Sequence, residues 1–349
     1  MVGIGIVGIG FMGMTHFRAI RKVKGAGVTA VCTRSEQKLK GDWRGIRGNF
    51  GDPGEFEDLS LVGTYGSFDD LLADRRVDLV DVCLPTSDHA SYVIRALQAG
   101  KHVLVEKPIS LSLRDADRMI HEAEKAGQLL MVAHVLPFFP EYTFLAEAIR
   151  SEKYGKLLGA HFKRIISKPD WSADLSSMER SGGPGVDLHI HDTHFITAFC
   201  GKPDRISASG RLVDSRYAEY LATIYRYDNR PDLAITCTGG AISKKGRPFA
   251  HGFEAYFDEA TVLYEFITMG GQPHLAQPLC VLTHEGNIQS PNLGSKDPVE
   301  AFVREIQAAV KGVNSGSVCS ELSSEVARTA LSLCFNEVKA VQASRSVNI

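Results

Sequence analysis

A glycine-rich segment near the start of the chain limits the possible fold more than any other feature. The segment Gly8-Ile9-Gly10-Phe11-Met12-Gly13 directly follows the apolar run Val2–Val7 and precedes a stretch with helical periodicity. In a strand–turn–helix unit, the first glycine permits a tight turn, the second lets a pyrophosphate approach the backbone, and the third lets the helix pack closely on the strand. The start of the helix then offers amide groups and a partial positive charge to the phosphates. The segment therefore predicts a dinucleotide-binding loop.

The first 135 residues alternate between apolar runs and amphipathic stretches, which is typical of a parallel sheet flanked by helices. The apolar runs are nearly continuous, as expected of strands that are buried on both faces. These predicted strands are Val2–Val7, Val28–Cys32, Leu79–Leu84, His102–Val105 and Leu129–Val135. The predicted helices between them, each followed by a glycine, are Met12–Lys24, Asp88–Ala99 and Leu113–Ala126. The polar, glycine-rich stretch Gln37–Gly66, with Trp43 and Phe50 interspersed, predicts an irregular excursion with at most short helices.

The pattern changes after Pro140. A helix over 141–150, a strand over 156–166 and a helix around Asp187 are followed by alternating segments that are bounded by turn residues. These segments are Arg205–Val213, Tyr220–Tyr227, Leu233–Thr238, Phe253–Phe257 and Thr261–Ile267, and they predict an antiparallel sheet. Two helices, Pro298–Lys311 and Ser323–Ser344, close the chain. We therefore predict an α/β Rossmann domain over residues 1–135 and an α+β domain over residues 136–349.

Composition excludes several classes of protein. The 349 residues are 44% hydrophobic and 23% charged, which is ordinary for a globular chain and argues against disordered and coiled-coil classes. The 39 basic and 41 acidic side chains leave a formal charge of −2, so there is no electrostatic footprint for nucleic acid or an anionic membrane. Seven cysteines without a Cys-x-x-Cys pair favour reduced thiols and a cytoplasmic location. We expect neither a signal peptide nor a membrane span.

The residues after the second predicted strand bear on the choice of nucleotide. An acidic residue at this place binds the ribose hydroxyls of NAD, whereas a small polar residue with an arginine suits the 2′-phosphate of NADP. The sequence reads Thr33-Arg34-Ser35, with Glu36 as the first acid and Lys38 nearby. We therefore expect NADP rather than NAD. Alternatively, Arg34 stacks on the adenine ring, as guanidinium groups readily do.

The motif Glu106-Lys107-Pro108 follows a predicted parallel strand. Ligands of open α/β sheets bind beyond the carboxyl ends of the strands, so we expect Lys107 to lie near the nicotinamide. Pro108 allows a cis peptide bond that would define the turn. The alternative is a solvated lysine at the end of a strand.

The segment from Gly182 to His194 contains an acid among three histidines. Pro184 suits the first turn of a helix on which Asp187 and His191, four residues apart, share a face. A carboxylate one turn away can orient an imidazole and raise its basicity, so His191 is a candidate general base. His189 should point away from that face. The alternatives are a metal-dependent hydrolase, although the spacing differs from that of such sites, and a purely structural group of histidines.

Together these motifs resemble the Gfo/Idh/MocA oxidoreductases, the family of glucose–fructose oxidoreductase and inositol dehydrogenase. The resemblance covers nearly the whole chain and rests on motifs in the family's order. They are Gly8-x-Gly10-x-x-Gly13, Leu84-Pro85-Thr86-Ser87-Asp88-His89, Glu106-Lys107-Pro108 and Gly182-Gly183 followed by Asp187-x-x-x-His191-Asp192. It implies a Rossmann domain followed by a substrate domain with a large, open, mostly antiparallel sheet, through which a homodimer or homotetramer often forms.

The resemblance also implies roles for individual residues. Lys107, Asp187 and His191 would be the catalytic set, and no metal is expected. The further candidates for the cofactor site, besides the glycine loop and Thr33-Arg34-Ser35, are Leu84, Pro85, Thr86, His89, Glu106, Lys107, Pro108 and His134.

The implied reaction transfers a hydride between a nicotinamide and a secondary alcohol or ketone of a sugar, an inositol or a related polyol. An alternative is a catalytically silent regulator that senses the dinucleotide on the same fold. Two departures bear on the substrate pocket: Pro137 stands where many relatives carry arginine, and His194 stands where aspartate is common.

Overall fold

The computed structural model describes residues 1–48, 51–168, 177–294 and 297–349. Along these residues the strands are β1 (Val2–Val7), β2 (Ala26–Cys32), β3 (Gly63–Tyr65), β4 (Leu79–Val82), β5 (His102–Glu106), β6 (Leu130–Ala133), β7 (Leu157–Ser167), β8 (Arg205–Val213), β9 (Tyr217–Arg226), β10 (Ala234–Ser243), β11 (Phe249–Phe257), β12 (Ala260–Met269), β13 (Gln272–Thr283), β14 (Ile288–Gln289) and β15 (Val347–Asn348). The helices are α1 (Phe11–Ile20), α2 (Glu36–Leu39), α3 (Phe68–Ala73), α4 (His89–Gln98), α5 (Leu113–Ala126), α6 (Pro140–Ser151), α7 (Met178–Ser181), α8 (Pro184–Asp187), α9 (Ile190–Cys200), α10 (Val299–Ser315) and α11 (Ser324–Ala343).

The chain divides into two compact units. The first comprises Met1–Phe139 and Ser295–Arg328, and the second comprises Pro140–Gly294 and Thr329–Ile349. The sequence places a single boundary at residue 135, with everything after it in the second domain. The segment that carries α10 instead belongs to the first unit, because Phe302 and Ile306 of this helix are buried in the same core as β1 and α1.

The first unit contains a six-stranded parallel sheet in the order β3-β2-β1-β4-β5-β6. Every residue of β1 is buried, which explains why its sequence is a continuous apolar run. Helix α5 has its predicted bounds. The Ser112 hydroxyl accepts a hydrogen bond from the amide of Asp115, and Gly127 ends the helix in the left-handed conformation at a φ of 64°. The predicted Rossmann architecture is confirmed.

The stretch Gln37–Gly66 is more ordered than the sequence predicts. It contributes the edge strand β3, which pairs in parallel with β2, so the expectation of short helices at most is wrong. Trp43 is fully buried, with its ring centroid 4.7 Å from that of Phe17. Asn49 and Phe50 lie outside the described residues. The three-residue strand is too short to leave a periodic signal in the sequence.

The second unit contains a nine-stranded sheet in the order β14-β13-β12-β11-β7-β10-β9-β8-β15. All neighbouring strands are antiparallel except β7 and β10. The predicted mostly antiparallel sheet is therefore confirmed. The sequence does not reveal β13, because Pro273 and Pro278 interrupt a segment whose first half is exposed.

Among the described residues, one face of this sheet is buried, whereas the other is exposed or half-buried. A row of aligned residues across five strands is fully buried; its members are Tyr225, Ile235, Ala160, Ala255 and Val262. Helices α8 and α9 contact strands of the sheet. The adjacent row points the other way and is exposed or half-buried; its members are Ile224, Thr236, His161, Glu254 and Leu263.

Two further features bear on the expectations from composition. The seven cysteines all lie within the described residues and are free thiols. Among the residues that the structure describes, no helix has the length and apolar character needed to cross a membrane.

Candidate active site

The three glycines of the first loop are required for different reasons. Gly8 has a φ of 94°, and a Cβ there would lie 2.6 Å from the carbonyl oxygen of Cys83. A Cβ on Gly13 would lie 2.1 Å from the carbonyl oxygen of Gly8, so the fold itself excludes a side chain at either position. A Cβ on Gly10 would meet no atom within 4 Å. This open space lies at the start of α1, and it fits the phosphates of a dinucleotide.

The candidate residues of the first unit lie at one edge of the parallel sheet. They follow β1, β2, β4, β5 and β6, whose carboxyl ends point in the same direction. These segments are Gly8–Gly13, Thr33–Ser35, Leu84–Thr86, Glu106–Pro108 and His134. These candidate segments therefore lie along the same edge of the parallel sheet.

The segment after β2 carries two cations with different surroundings. Arg34 is exposed and forms no ion pair with any described residue. Lys38 is half-buried, and its Nζ donates a hydrogen bond of 2.6 Å to the carbonyl oxygen of Ile9, inside the glycine loop. Burial lowers the pKa of Lys38. Ser35 caps α2 by accepting a hydrogen bond from the amide of Lys38, which orients this short helix.

His89 is a buried side chain that contacts two backbone segments, not an exposed group. Its ring is fully buried, with Nε2 2.9 Å from the carbonyl oxygen of Leu84 and Nδ1 3.0 Å from that of Pro108. Burial lowers the pKa of His89. Because its two nitrogens lie against carbonyls of different segments, with the N–H of the neutral ring donating to one of them, the ring joins the segments that follow β4 and β5. Any effect of His89 on a ligand is therefore indirect.

Glu106, Lys107 and Pro108 lie where the chain leaves β5. The Lys107–Pro108 peptide bond is cis, as anticipated from the proline. The Glu106 carboxylate accepts a hydrogen bond of 3.1 Å from the amide of Lys107, and the Lys107 side chain is half-buried. His134, which directly follows β6, is fully buried.

A buried polar cluster lies behind Glu106, and sequence reasoning did not find it. Its members are His16, Asp81, Cys83, Glu106 and Glu305. Nδ1 of His16 lies 2.9 Å from the Asp81 carboxylate, and Nε2 lies 3.3 Å from that of Glu106. The available signal was Asp81, a single acid within an apolar strand. Ligand atoms of His16, Asp81 and Cys83 lie within 4.8 Å of one another, which is the one such group among the described residues. Their mutual hydrogen bonds account for this proximity.

In the second unit, the helix predicted around Asp187 is divided. Leu188 and His189 separate α8 from α9, although both keep right-handed helical dihedral angles, so the two helices continue along one path. The division arises because the amide of His189 bonds to the carbonyl of Pro184, five residues back. Asp187 and His191, on either side of this break, are both half-buried.

Two buried ion pairs anchor the residues around His191. Nε2 of His189 lies 3.1 Å from the carboxylate of Glu337 on α11, and both side chains are fully buried. Burial opposes the charge of this imidazole, but the Glu337 carboxylate raises the pKa of His189. His189 thus faces the core, as expected from its position. On the other side of His191, Asp192 accepts hydrogen bonds of 2.7 and 3.2 Å from the guanidinium of Arg164 on β7.

These ion pairs hold the start of α9 in place. Removing one partner of a buried pair typically costs about 3 to 5 kcal/mol, because the other charge remains buried without compensation. Arg164 and Glu337 were not recognised from the sequence, since they are distant from the histidine segment along the chain. His194 is fully buried as well. Of the three candidate catalytic residues, Lys107 belongs to the first unit, and Asp187 and His191 belong to the second.

Comparisons with known proteins agree with this architecture. Residues 2–134 match the model of an oxidoreductase family with an NAD-binding Rossmann fold. The chain is 32% identical over 211 residues to the myo-inositol 2-dehydrogenase of Thermotoga maritima, which covers 60% of this chain and 58% of that protein. It is 30% identical over 178 residues to the pig trans-1,2-dihydrobenzene-1,2-diol dehydrogenase, covering 50% of this chain and 52% of that protein. The chain therefore spans somewhat over half the length of these two relatives.

Other similarities extend further along the chain. A D-xylose 1-dehydrogenase (NADP(+)) of Haloferax volcanii is 28% identical over 280 residues, covering 78% of this chain and 82% of that protein. A crystal structure of a probable dehydrogenase from Thermotoga maritima superposes with a TM-score of 0.79 at 23% identity, over 99% of this chain and 98% of that one. The structural similarity shows that the fold is shared over nearly the whole chain.

Proposed function

Because this chain belongs to the Gfo/Idh/MocA oxidoreductase family through residues 2–134, we propose that it is an NAD(P)-dependent dehydrogenase. The substrate class is a secondary alcohol, or the corresponding ketone, of a sugar, an inositol or a related polyol. The relatives named as inositol, xylose and dihydrodiol dehydrogenases support this class. The observation that carries the proposal is the edge of the parallel sheet, at which both the open space at Gly10 and the strand-end Lys107 are found.

Each candidate residue would have a separate role in hydride or proton transfer. A bound nicotinamide would accept or return the hydride. His191 removes the hydroxyl proton of the alcohol, and Asp187 orients the imidazole and stabilises its charged form. Lys107 donates a hydrogen bond to the reacting oxygen and stabilises its alkoxide character. The half-buried positions of Lys107, Asp187 and His191 are compatible with such contacts.

Our proposed cofactor is NADP in preference to NAD. Arg34 is exposed and forms no ion pair with a described residue, so its guanidinium is available to a 2′-phosphate. The anchored ammonium of Lys38 adds a second positive charge close to the glycine loop. No acidic residue stands at the end of β2 to bind the ribose hydroxyls of NAD.

The proposed assembly is a homodimer or homotetramer through the open face of the nine-stranded sheet. Ile224 on this face is 42% exposed and Tyr256 is 44% exposed. On the same face, Lys163 of β7 and Glu265 of β12 form an ion pair of 2.6 Å across Gly252 of β11. A surface that mixes exposed apolar side chains with paired charges is typical of contacts between subunits.

A screen of sugars, inositols and sugar acids, followed by the absorbance of the reduced cofactor, tests the proposed function. Each compound is offered with NADP⁺ and with NAD⁺, and the ketone counterparts are offered with the reduced cofactors. Turnover of at least one member of the panel is expected. Tight binding of a dinucleotide without any turnover would instead support a catalytically silent sensor, and failure to bind either dinucleotide would refute both functions.

A further inference from the structure

The buried cluster behind Glu106 contains groups from four elements. His16 lies on α1, Asp81 lies on β4 with Cys83 just beyond it, Glu106 ends β5, and Glu305 lies on α10. The side chains of His16, Asp81 and Glu305 are at most 1% exposed, and that of Glu106 is 10% exposed. These are the titratable groups that face His16. Its other close neighbour is the ring of Phe302, 5.9 Å away between centroids.

The contacts of His16 indicate that its imidazole carries a positive charge. Both ring nitrogens approach carboxylates, Nδ1 that of Asp81 at 2.9 Å and Nε2 that of Glu106 at 3.3 Å. Nδ1 forms a hydrogen bond with Asp81, whereas Nε2 is within ion-pair distance of Glu106 without hydrogen-bond geometry; two carboxylates so close to one buried ring favour the imidazolium. Burial alone would lower the pKa of His16, but the charge and hydrogen bond of Asp81, with Cys83, raise it well above its ordinary value.

The surroundings of Glu305 favour its neutral form. It is fully buried, neither of its carboxylate oxygens has a hydrogen-bond partner, and Oε2 lies 3.9 Å from Nε2 of His16. Burial raises the pKa of Glu305 well above its ordinary value, against the effect of His16. A protonated Glu305 leaves one imidazolium between two carboxylates, so that His16 is the cation that holds Asp81 and Glu106 together.

We propose that His16 is a positioning residue of the cofactor site, and that its imidazolium fixes the carboxylate of Glu106 at the end of β5. Glu106 in turn accepts a hydrogen bond from the amide of Lys107. The charge on His16 therefore affects the position of the backbone at the end of β5, where we place the nicotinamide. The inference rests on the proposed function, because that function places the cofactor at this edge. It adds a residue on α1 whose side chain is fully buried and cannot contact the ligand itself.

The proposal makes a prediction about pH. In the unmodified protein Asp81 keeps the pKa of His16 well above its ordinary value, so we expect its contribution to affinity to change little between about pH 6 and 9. In Asp81→Asn the principal counter-charge is lost while the burial remains, so the pKa of His16 falls. As pH rises through that pKa, Glu106 loses its positively charged partner. Loss of an interaction with a charged group corresponds to roughly a ten- to hundredfold change in an equilibrium constant, so NADPH should bind at least about tenfold more weakly at high than at low pH.

The experiment titrates the full chain with NADPH, and separately with NADH, by nucleotide fluorescence across this pH range. Asp78→Asn is the matched control, because Asp78 lies just before the same strand, is exposed, and bonds the amide of Gly3 rather than His16. The control removes the same charge and corrects for any titration of the nucleotide. In parallel, nitrogen NMR of histidine-labelled protein reports the protonation of His16, identified by its contacts to the Phe302 ring, without any ligand.

We expect an imidazolium at pH 8 in the unmodified protein and a pH-dependent loss of affinity in Asp81→Asn that Asp78→Asn does not show. A neutral His16 at pH 8, or identical profiles for the two variants, overturns the inference while leaving the proposed function intact. If Asp81→Asn does not fold, His16→Gln replaces it: its amide can donate to Glu106 without charge, so weaker NADPH binding supports the role and unchanged binding overturns it. Absence of both NADPH and NADH binding by the unmodified protein overturns the proposed function and, with it, the positioning role.

Discussion

Alanine substitutions at two glycines of the first loop should separate binding from folding. Gly10 has a φ of −106°, which alanine adopts readily, and its added Cβ would meet no atom within 4 Å. The gain from a less flexible unfolded chain is about 0.4 to 1 kcal/mol, and the poorer cap opposes it, so the stability of Gly10→Ala should change by less than about 1 kcal/mol. The new methyl group would occupy the space proposed for the pyrophosphate. An overlap that costs about 1 to 3 kcal/mol weakens NADPH binding by roughly ten- to hundredfold.

The same substitution at Gly13 should lower the stability of the folded protein, which Gly10→Ala should leave nearly unchanged. Its Cβ would lie 2.1 Å from the carbonyl oxygen of Gly8 and 3.1 Å from the carbonyl carbon, so α1 must move away from β1 to accommodate it. Such overpacking against backbone atoms costs about 1 to 3 kcal/mol or more in the free energy of unfolding. Gly13→Ala should therefore have a lower thermal unfolding midpoint than the unmodified protein.

Thermal melts by circular dichroism and fluorescence titrations with NADPH measure both quantities for both variants. We expect a normal midpoint with weak binding for Gly10→Ala, and a lowered midpoint for Gly13→Ala. Binding of NADPH by Gly10→Ala at the unmodified affinity would show that the phosphates do not lie over Gly10. An unchanged midpoint for Gly13→Ala would refute the close contact between α1 and β1.

Other consequences can be measured in the same way. Arg34→Ala should weaken NADPH binding by at least about tenfold and NADH binding much less, because a bond to a charged phosphate is lost only in the former; equal losses in fluorescence titrations would instead indicate stacking on adenine. Lys107→Ala and His191→Ala should retain NADPH binding, and once a substrate is found His191→Ala should lose about 10²- to 10⁴-fold in rate; normal turnover in both would refute the catalytic assignment. Ile224→Lys should reduce the mass in light scattering to that of one 38.1 kDa chain, whereas a lysine at Leu61, 90% exposed in the first unit, should leave it unchanged. A monomeric unmodified protein would contradict this assembly.

Local features of the sequence were sufficient for much of the fold. The order of strands and helices in the first unit follows from apolar runs and from helix stop signals such as Gly127. Gly127 has a φ of 64°, a left-handed conformation that glycine adopts without the steric strain of a Cβ. The bounds of α5 and β8 are the same in prediction and structure. Weak local signals explain the errors: β3 is too short to show a period, and β13 contains two prolines. The break after Asp187 depends on one backbone hydrogen bond that no side-chain pattern records.

The sequence by itself determined which candidate groups this protein presents at the ends of its parallel strands and on its histidine-rich helical segment, because the glycine loop, Glu106-Lys107-Pro108 and the Asp187–His191 pair are local motifs whose meaning depends on near neighbours. Only the tertiary structure decided what supports them. Glu305 meets His16 from the far end of the chain, and Glu337 meets His189 from the last helix. A buried charge must find a partner wherever the topology brings one near, and that partner can lie at any distance along the chain. The candidate side chains could therefore be named from the sequence, whereas the residues that hold them in place could not.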